Sequence, residues 1–323
     1  MEANPQPLHE MSYVKGLQEV GDGLYAYLQP DGGWGWSNAG LIVDGESTLL
    51  VDTLYDLALT EQMLRAMRDA VPAAARIDTL VNTHANGDHC YGNQLVADAR
   101  IVASERTAAD MAALPPAAMA ALIDQAPKMG ELGAFFLDCF GAFDFRGIEL
   151  ALPGETFSGE LTLQVGDRHL QLIEVGPAHT RGDTLVYDPA ERVLFSGDIL
   201  FSEAHPITWA GPVSNWIAAC ERILAMDVGV IVPGHGPLAG PGAVRELKAY
   251  FEYLYTEARA RHADGMTALQ AARSISLDRW ADWSESERLV VTIANVYSEL
   301  SGDREPLNPL AAFEQMAELA RSR

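Results

Sequence analysis

The chain has 323 residues and a formal net charge of −23, from 22 Lys and Arg against 45 Asp and Glu. So acidic a surface repels phosphate backbones and anionic bilayers, so neither a nucleic acid nor a membrane is an expected partner; solubility is the plainest use of the charge. Hydrophobic residues make up 48% of the chain, ample for a buried core, and the length fits one long domain or one domain with an extension.

Cys90, Cys139 and Cys220 are odd in number and widely separated, so no disulfide framework is expected. The amino terminus has no basic start and no apolar core, so no signal peptide is read there. No uninterrupted apolar run reaches the about 18 residues of a membrane span. A cytoplasmic protein is the expectation.

Residues 1–20 are polar and contain proline, and read as a poorly ordered lead-in. Residues 23–29 alternate as a strand, and a loop over 32–38 follows, carrying Trp34 and Trp36. Two further strands, 39–43 and 47–51, form a hairpin across Asp44-Gly45. Residues 57–70 are helical in pattern, so Asp52 could serve as a helix cap. The β-branched run 77–81 then leads into a loop holding His84, Asn86, Asp88 and His89.

A strand at 101–103 comes next, after which residues 104–150 break the αβ rhythm. This stretch carries Met111, Met119, Met129, Phe135, Phe136, Phe140, Phe143 and Phe145, with helical runs separated at Pro115-Pro116, Pro127 and Gly130. It reads either as a helical pair packed on the core or as a lid forming an apolar wall over a site, a use that suits flexible Met side chains. Strands resume at 161–165, 170–175, 184–187 and 193–195. Residues 198–216 read as a loop with His205 and Trp209, 216–226 as a helix, and 228–232 as a buried strand running towards His235. Helical patterns over 243–261, 267–275 and 285–300 make residues 245–323 a helical extension outside the motif set. Arg259, Arg261 and His262 are expected to be solvated helix residues.

Four segments carry the chemistry. His84, Asp88 and His89 follow one β-like run, and His179, Asp198 and His235 each follow another, in loops that carry Gly or Pro. A loop at a strand end aims a side chain into a shared cleft, and neighbouring Gly lets backbone approach closely. Imidazole nitrogen and carboxylate oxygen together suit Zn²⁺ or a similar divalent ion. His205 is a further histidine on a Pro-containing loop, read as a loop residue rather than a ligand.

In this order the motifs resemble those of the metallo-β-lactamase fold superfamily, whose signature is His-x-His-x-Asp-His followed by a His, an Asp and a His in separate loops. The resemblance covers about residues 20–240. It implies an α/β fold, an αββα four-layer sandwich, with the 104–150 segment as an insertion into a domain over 21–244. It further implies that His84 and His179 serve a first metal site, that Asp88, His89 and His235 serve a second, and that Asp198 bridges them. Asp88 would also orient the attacking water as the catalytic residue. Asp52 stands where the family has an acidic partner for a metal-bound His. One position departs: Asn86 replaces the second His of the signature. An amide oxygen is a weaker ligand than imidazole, so Asn86 is at most a weak ligand or a substrate contact.

The cofactor implied is therefore Zn²⁺, one ion tight and a second weaker, with iron and manganese as alternatives. The activity implied is a metal-dependent hydrolase acting with activated water on an ester, thioester, lactone or related carbonyl compound. A small, partly apolar molecule is the expected partner, and oligomeric state is left open. Two other readings stand beside it: a metal-dependent cyclase or lyase acting on a polyketide-like substrate, and a non-enzymatic metal-binding relative. β-Lactam and glutathione-thioester hydrolysis are not expected, because fold likeness does not carry substrate.

Overall fold

The computed structural model describes residues 13–30, 32–113, 115–302 and 308–322. Two sheets face each other. The first joins β1 (Gly16–Gly21), β2 (Leu24–Leu28), β3 (Ala39–Asp44), β4 (Ser47–Val51), β5 (Thr79–Val81), β6 (Arg100–Ser104) and β7 (Glu155–Phe157) in chain order. Its pairing is antiparallel through β4 and parallel from there on. The second sheet runs in the order β12 (Val230–His235), β11 (Val193–Phe201), β10 (Thr184–Asp188), β9 (Arg168–Glu174), β8 (Glu160–Val165), with β11 and β12 parallel.

Strand side chains alternate between two apolar faces, because both faces of each sheet are covered. Leu49, Val51, Val81 and Val102 point between the sheets against Leu170, Leu172, Val186, Phe195 and Val232. Leu50, Leu80 and Ile101 point outward onto Met63, Leu64 and Met67 of α1 (Leu57–Ala70). Leu185, Leu194 and Ile231 point outward from the second sheet onto α6 (Val213–Leu224), α7 (Pro241–Ala263) and α9 (Leu289–Ser301). Helix, sheet, sheet, helix is the expected four-layer sandwich. Close approach of the layers needs Gly40, where a Cβ would run into the Phe195 ring.

Several elements depart from the sequence expectation. The lead-in expected over 1–20 lies outside the described residues as far as 12, but Gly16–Gly21 pairs with β2 as an edge strand. Its apolar contribution is small, which is why the composition there reads as loop. β7 was not expected either; only three residues long, it has no period to detect. The segment expected as a loop from 198 begins inside β11, which continues to Phe201. Asp52 does not cap α1; Asp56 does, accepting the Leu59 N–H at 2.7 Å.

Residues 104–150 hold α3 (Glu105–Ala113), α4 (Pro116–Gln125) and α5 (Gly130–Phe140), more than a helical pair, with breaks at the prolines and glycine that the sequence marks. Phe136, Phe140, Phe143 and Phe145 are all buried, in a cluster with Tyr55 and Tyr91. Phe140 stands edge-on to Tyr55 at 6.0 Å and to Trp34 at 5.7 Å. This is core packing, not an open flap. Phe140→Ala is therefore expected to lower unfolding stability by about 3–5 kcal/mol, measured by denaturant titration. A loss below about 1 kcal/mol with a raised KM would restore the lid reading.

The helical extension is continuous with the outer layer. The expected boundary at residue 244 falls within α7, and Leu247, Phe251 and Leu254 of that helix share one apolar cluster with Ala219 and Ile223 of α6. α10 (Pro309–Ala320) returns to the insertion, where Phe313 stacks on Phe136 at 4.6 Å. Among the described residues, no helix is long and apolar enough to cross a membrane.

Candidate metal centre

The expected donors converge at one end of the sandwich. His84 follows β5, Asp88 and His89 lie in the short turn α2 (Gly87–Cys90), and His179 lies between β9 and β10. Asp198 sits in β11 and His235 ends β12. The β11–β12 register slips between Phe195 and Gly197, and again before Phe201. Such an irregularity re-aims a side chain, here Asp198. Gly234 packs against that carboxylate so closely that a Cβ there would run into Asp198 Oδ1.

Every imidazole is anchored through Nδ1. His84 Nδ1 meets Thr83 Oγ1 at 3.0 Å, His89 Nδ1 meets Asp52 Oδ2 at 3.0 Å, His179 Nδ1 meets the Ile207 carbonyl at 2.7 Å and His235 Nδ1 meets the Gly32 carbonyl at 3.0 Å. Bonds of this kind hold ring orientation and leave Nε2 free to point elsewhere. All four Nε2 atoms turn towards Asp198, at 3.6 Å for His84, 3.1 Å for His89, 3.2 Å for His179 and 3.5 Å for His235. His235 Nε2 also lies 3.3 Å from Asp88 Oδ2. The donor atoms fall into two groups, His84, His179 and Asp198, and Asp88, His89 and His235, each with its atoms within 4.8 Å of one another.

The residues fit a divalent ion. His84 Nε2, His89 Nε2 and Asp198 Oδ1 are buried without a hydrogen-bond partner, a costly arrangement unless something binds them. Burial keeps the His84 and His179 imidazoles below their ordinary pKa, the neutral form that donates a lone pair. Burial alone would raise Asp198, but the four surrounding histidines hold it well below the usual carboxylate range. For His89 and His235 burial likewise opposes the charge, yet Asp198 and Asp88 hold both above the ordinary value, His235 at about 9.

Asn86 stands against the first of these groups. Its Nδ2 lies 3.0 Å from His179 Nε2, and with the His179 Nδ1 proton committed to Ile207, the amide donates to the Nε2 lone pair. Asp52 accepts from the Thr83 N–H at 2.7 Å and from Thr83 Oγ1 at 2.6 Å, besides meeting His89. It thereby ties the ends of β4 and β5 together. His205 is not brought in: it is buried elsewhere, its Nδ1 2.8 Å from the Tyr250 hydroxyl.

Other supporting residues carried no sequence signal of their own. Asn38 Nδ2 donates to the Pro233 and Gly236 carbonyls at 3.0 and 2.8 Å, clamping the His235 turn. Ser37 Oγ donates to the Asp88 carbonyl at 2.5 Å. Asp183 accepts from the Ala178 and Thr180 N–H groups and from Thr180 Oγ1, closing the loop that presents His179; its burial pushes its carboxyl up to about 7. Asp183 immediately precedes β10, and an Asp beside Gly182 just before a strand could have been read as a loop-closing residue.

A sequence profile described as the metallo-beta-lactamase superfamily matches residues 32–235. The chain is 28% identical over 256 residues to the 2,4-dinitroanisole O-demethylase subunit alpha of Nocardioides sp., covering 75% of this chain and 63% of that protein. It is 25% identical over 250 residues to the acyl-coenzyme A thioesterase MBLAC2 of Gallus gallus, covering 75% of this chain and 86% of that one. Among solved structures, the stereoselective inverting sec-alkylsulfatase Pisa1 from Pseudomonas sp. superposes with a TM-score of 0.67 at 18% identity, over 92% of this chain and 53% of that chain. That last likeness is one of fold alone, but its extent takes in the carboxy-terminal helices as well as the sandwich. The chain thus spans less than two thirds of the demethylase subunit and of the sulfatase.

Proposed function

The chain belongs to the metallo-β-lactamase superfamily, a family of metal-dependent hydrolases, and from that premise we propose that it is a zinc hydrolase of ester or thioester carbonyls bearing an apolar group. The observation that carries this is the set of four imidazoles, each anchored at Nδ1 and each turning Nε2 towards Asp198. His84, His179 and Asp198 would hold one ion, and Asp88, His89 and His235 another, Asp198 lying between the groups. A divalent ion held there would supply Lewis acidity and lower the pKa of water at the site towards neutrality.

The chain's own residues do the rest. Asp88 is the most exposed of the donors, at 8%; with Oδ2 held 3.3 Å from His235 Nε2 its carboxylate stays ionised and would accept a hydrogen bond from a water and fix its orientation. Asp52 keeps the His89 ring in place, and Thr83 does so for His84. Asn86 weakens the first group twice: it replaces an imidazole, and its amide competes for the His179 lone pair. The second group is accordingly the tighter one.

Substrate character is read from an aromatic arc. Trp34 sits two residues past Gly32, which accepts from His235, and the Trp209 N–H donates to the His179 carbonyl at 3.0 Å. Phe313 bridges the two, 5.7 Å from the Trp34 ring and 5.8 Å from the Trp209 ring. All three are only partly buried, and aromatic side chains of this kind offer apolar surface to an acyl or aryl group. The thioesterase name of one relative supports a thioester; the name of another, an O-demethylase subunit, supports an aromatic portion.

With zinc present, 4-nitrophenyl esters and acyl thioesters of increasing chain length are expected to be hydrolysed with a rising kcat/KM. Chelator should abolish the rate and added zinc restore it. No hydrolysis in the zinc-restored protein would overturn the reading. Conversion of a polyketide-like substrate without uptake of water would replace it with the cyclase or lyase alternative.

A further inference from the structure

We propose that Arg288, in the helical extension, is a positioning residue for His235, acting through the Trp34 loop and through the Phe201 ring. The inference rests on His235 being a metal donor, as proposed above. Arg288 is 1% exposed, a rare position for a guanidinium. Its charge is met by Glu285 at 2.7 Å, and it donates to the His205 carbonyl at 3.2 Å. What it touches otherwise is aromatic. The guanidinium carbon lies 4.2 Å from the Trp34 ring centroid and 5.2 Å from that of Phe201.

Each contact leads to His235 by a separate route. Phe201 is stacked on the His235 imidazole, centroids 5.2 Å apart and planes within 6°. Pressing on one face of Phe201 thus fixes the plane against which His235 rests. The Trp34 route acts at the Nδ1 edge of the imidazole. Gly32, whose carbonyl takes the His235 Nδ1 proton, is in the left-handed region at φ +64°, and a Cβ there would meet the Gly236 nitrogen at 2.7 Å. A loop so tightly folded has to be held, and the extension holds it. Trp34 donates its indole N–H to Glu287 Oε1 at 2.9 Å, while Arg288 covers its ring.

Glu285 itself is in the left-handed region at φ +62°, although it is neither Gly nor Asn. Strain of this kind persists only where the surroundings over-determine the conformation, and it concentrates near functional sites. The segment is tied further to the loop after β11, the Ser284 N–H donating to the Glu203 carbonyl and the His205 N–H to the Ser284 carbonyl. Residues 284–288 therefore form a brace between the extension and the His235 half of the centre. On this account the extension completes that half instead of merely covering the sheet.

The test is titration of the chelator-stripped protein with cobalt(II), whose visible bands report donor geometry. The unaltered chain is expected to bind cobalt. Arg288→Met and Trp34→Leu should each weaken binding about tenfold or more and alter the bands, as loss of an orienting contact does. Trp36→Phe, on the same loop but facing Phe143, should leave both unchanged. A purely structural role would lower the unfolding midpoint of the stripped protein without altering the bands of the folded fraction. Unchanged affinity and bands in Arg288→Met and Trp34→Leu would overturn the proposal. Should Arg288→Met fail to fold, Trp34→Leu decides by the same two readings. Failure of the unaltered chain to bind cobalt would remove the metal-centre reading itself, and the brace with it.

Discussion

His89→Ala and His235→Ala are each expected to eliminate turnover and tight metal binding. Either change leaves the Asp88, His89 and His235 group with two donors. The loss of affinity should exceed the roughly 10- to 100-fold that follows from removing an outer contact. His89→Ala has a second consequence, because Asp52 Oδ2 and Asp198 Oδ1 then lose the imidazole 3.0 and 3.1 Å away. A buried carboxylate stripped of its partner costs about 3–5 kcal/mol, so circular dichroism must accompany the metal analysis. His235→Ala likewise takes an imidazole from Asp88 at 3.3 Å and from Asp198 at 3.5 Å, but its Nδ1 partner is the Gly32 carbonyl and not a buried carboxylate, so it is the cleaner variant. His205→Ala is the contrast. It removes a buried hydrogen bond to Tyr250 and should cost stability on the order of 1–3 kcal/mol while metal content stays the same. If His205→Ala lost metal as completely as His235→Ala, the donor assignment would be wrong.

Asn86→His is expected to move metal content from about one ion per chain towards two, read by mass spectrometry after dialysis against dilute chelator. Two effects add. The new imidazole supplies a donor beside His84 and His179, and removal of the amide frees the His179 Nε2 lone pair that Asn86 now occupies at 3.0 Å. The His179 ring needs no rearrangement, since Ile207 already holds its Nδ1 at 2.7 Å. Activity is a poorer readout, because an added ion changes the space left for substrate. Two tightly held ions in the unaltered chain would show that the amide or a water completes the first group, and the reading of one strong site would be abandoned.

The donors were legible in the chain because a metal needs few residue types and the loops that carry them have a recognisable grammar. An apolar β-like run, then a loop in which Gly or Pro stands near a His or Asp, recurs at the loop of His84, Asp88 and His89, at His179, at Asp198 and at His235. The two-faced apolar strands were legible for a related reason: Leu49-Leu50-Val51 and Val230-Ile231-Val232 are continuous apolar runs, as buried parallel strands require. Gly16–Gly21 and Glu155–Phe157 were not, since edge strands of mixed polarity are made by their neighbours' hydrogen bonds.

The insertion shows where composition stops being informative. Its phenylalanines suited a lid and a core equally, because apolarity alone does not say which surface covers it. Tyr55, Tyr91 and Phe313 decided the matter, coming from three distant parts of the chain. Asn86 was visible as a departure from a pattern, but that its amide faces His179 across 93 positions was not. His205, read as a loop residue, turned out to be buried because Tyr250 and Trp283 of the extension close over it. What the sequence by itself determined is which side chains could hold a metal and that they lie within or soon after strands, because ligand chemistry and β-periodicity are local properties. What only the tertiary structure decided is how each imidazole is held and what braces it. Two of the Nδ1 partners are backbone carbonyls and one is the distant Asp52 carboxylate, and Arg288 reaches His235 through Trp34 and Phe201, contacts that exist once the chain has folded.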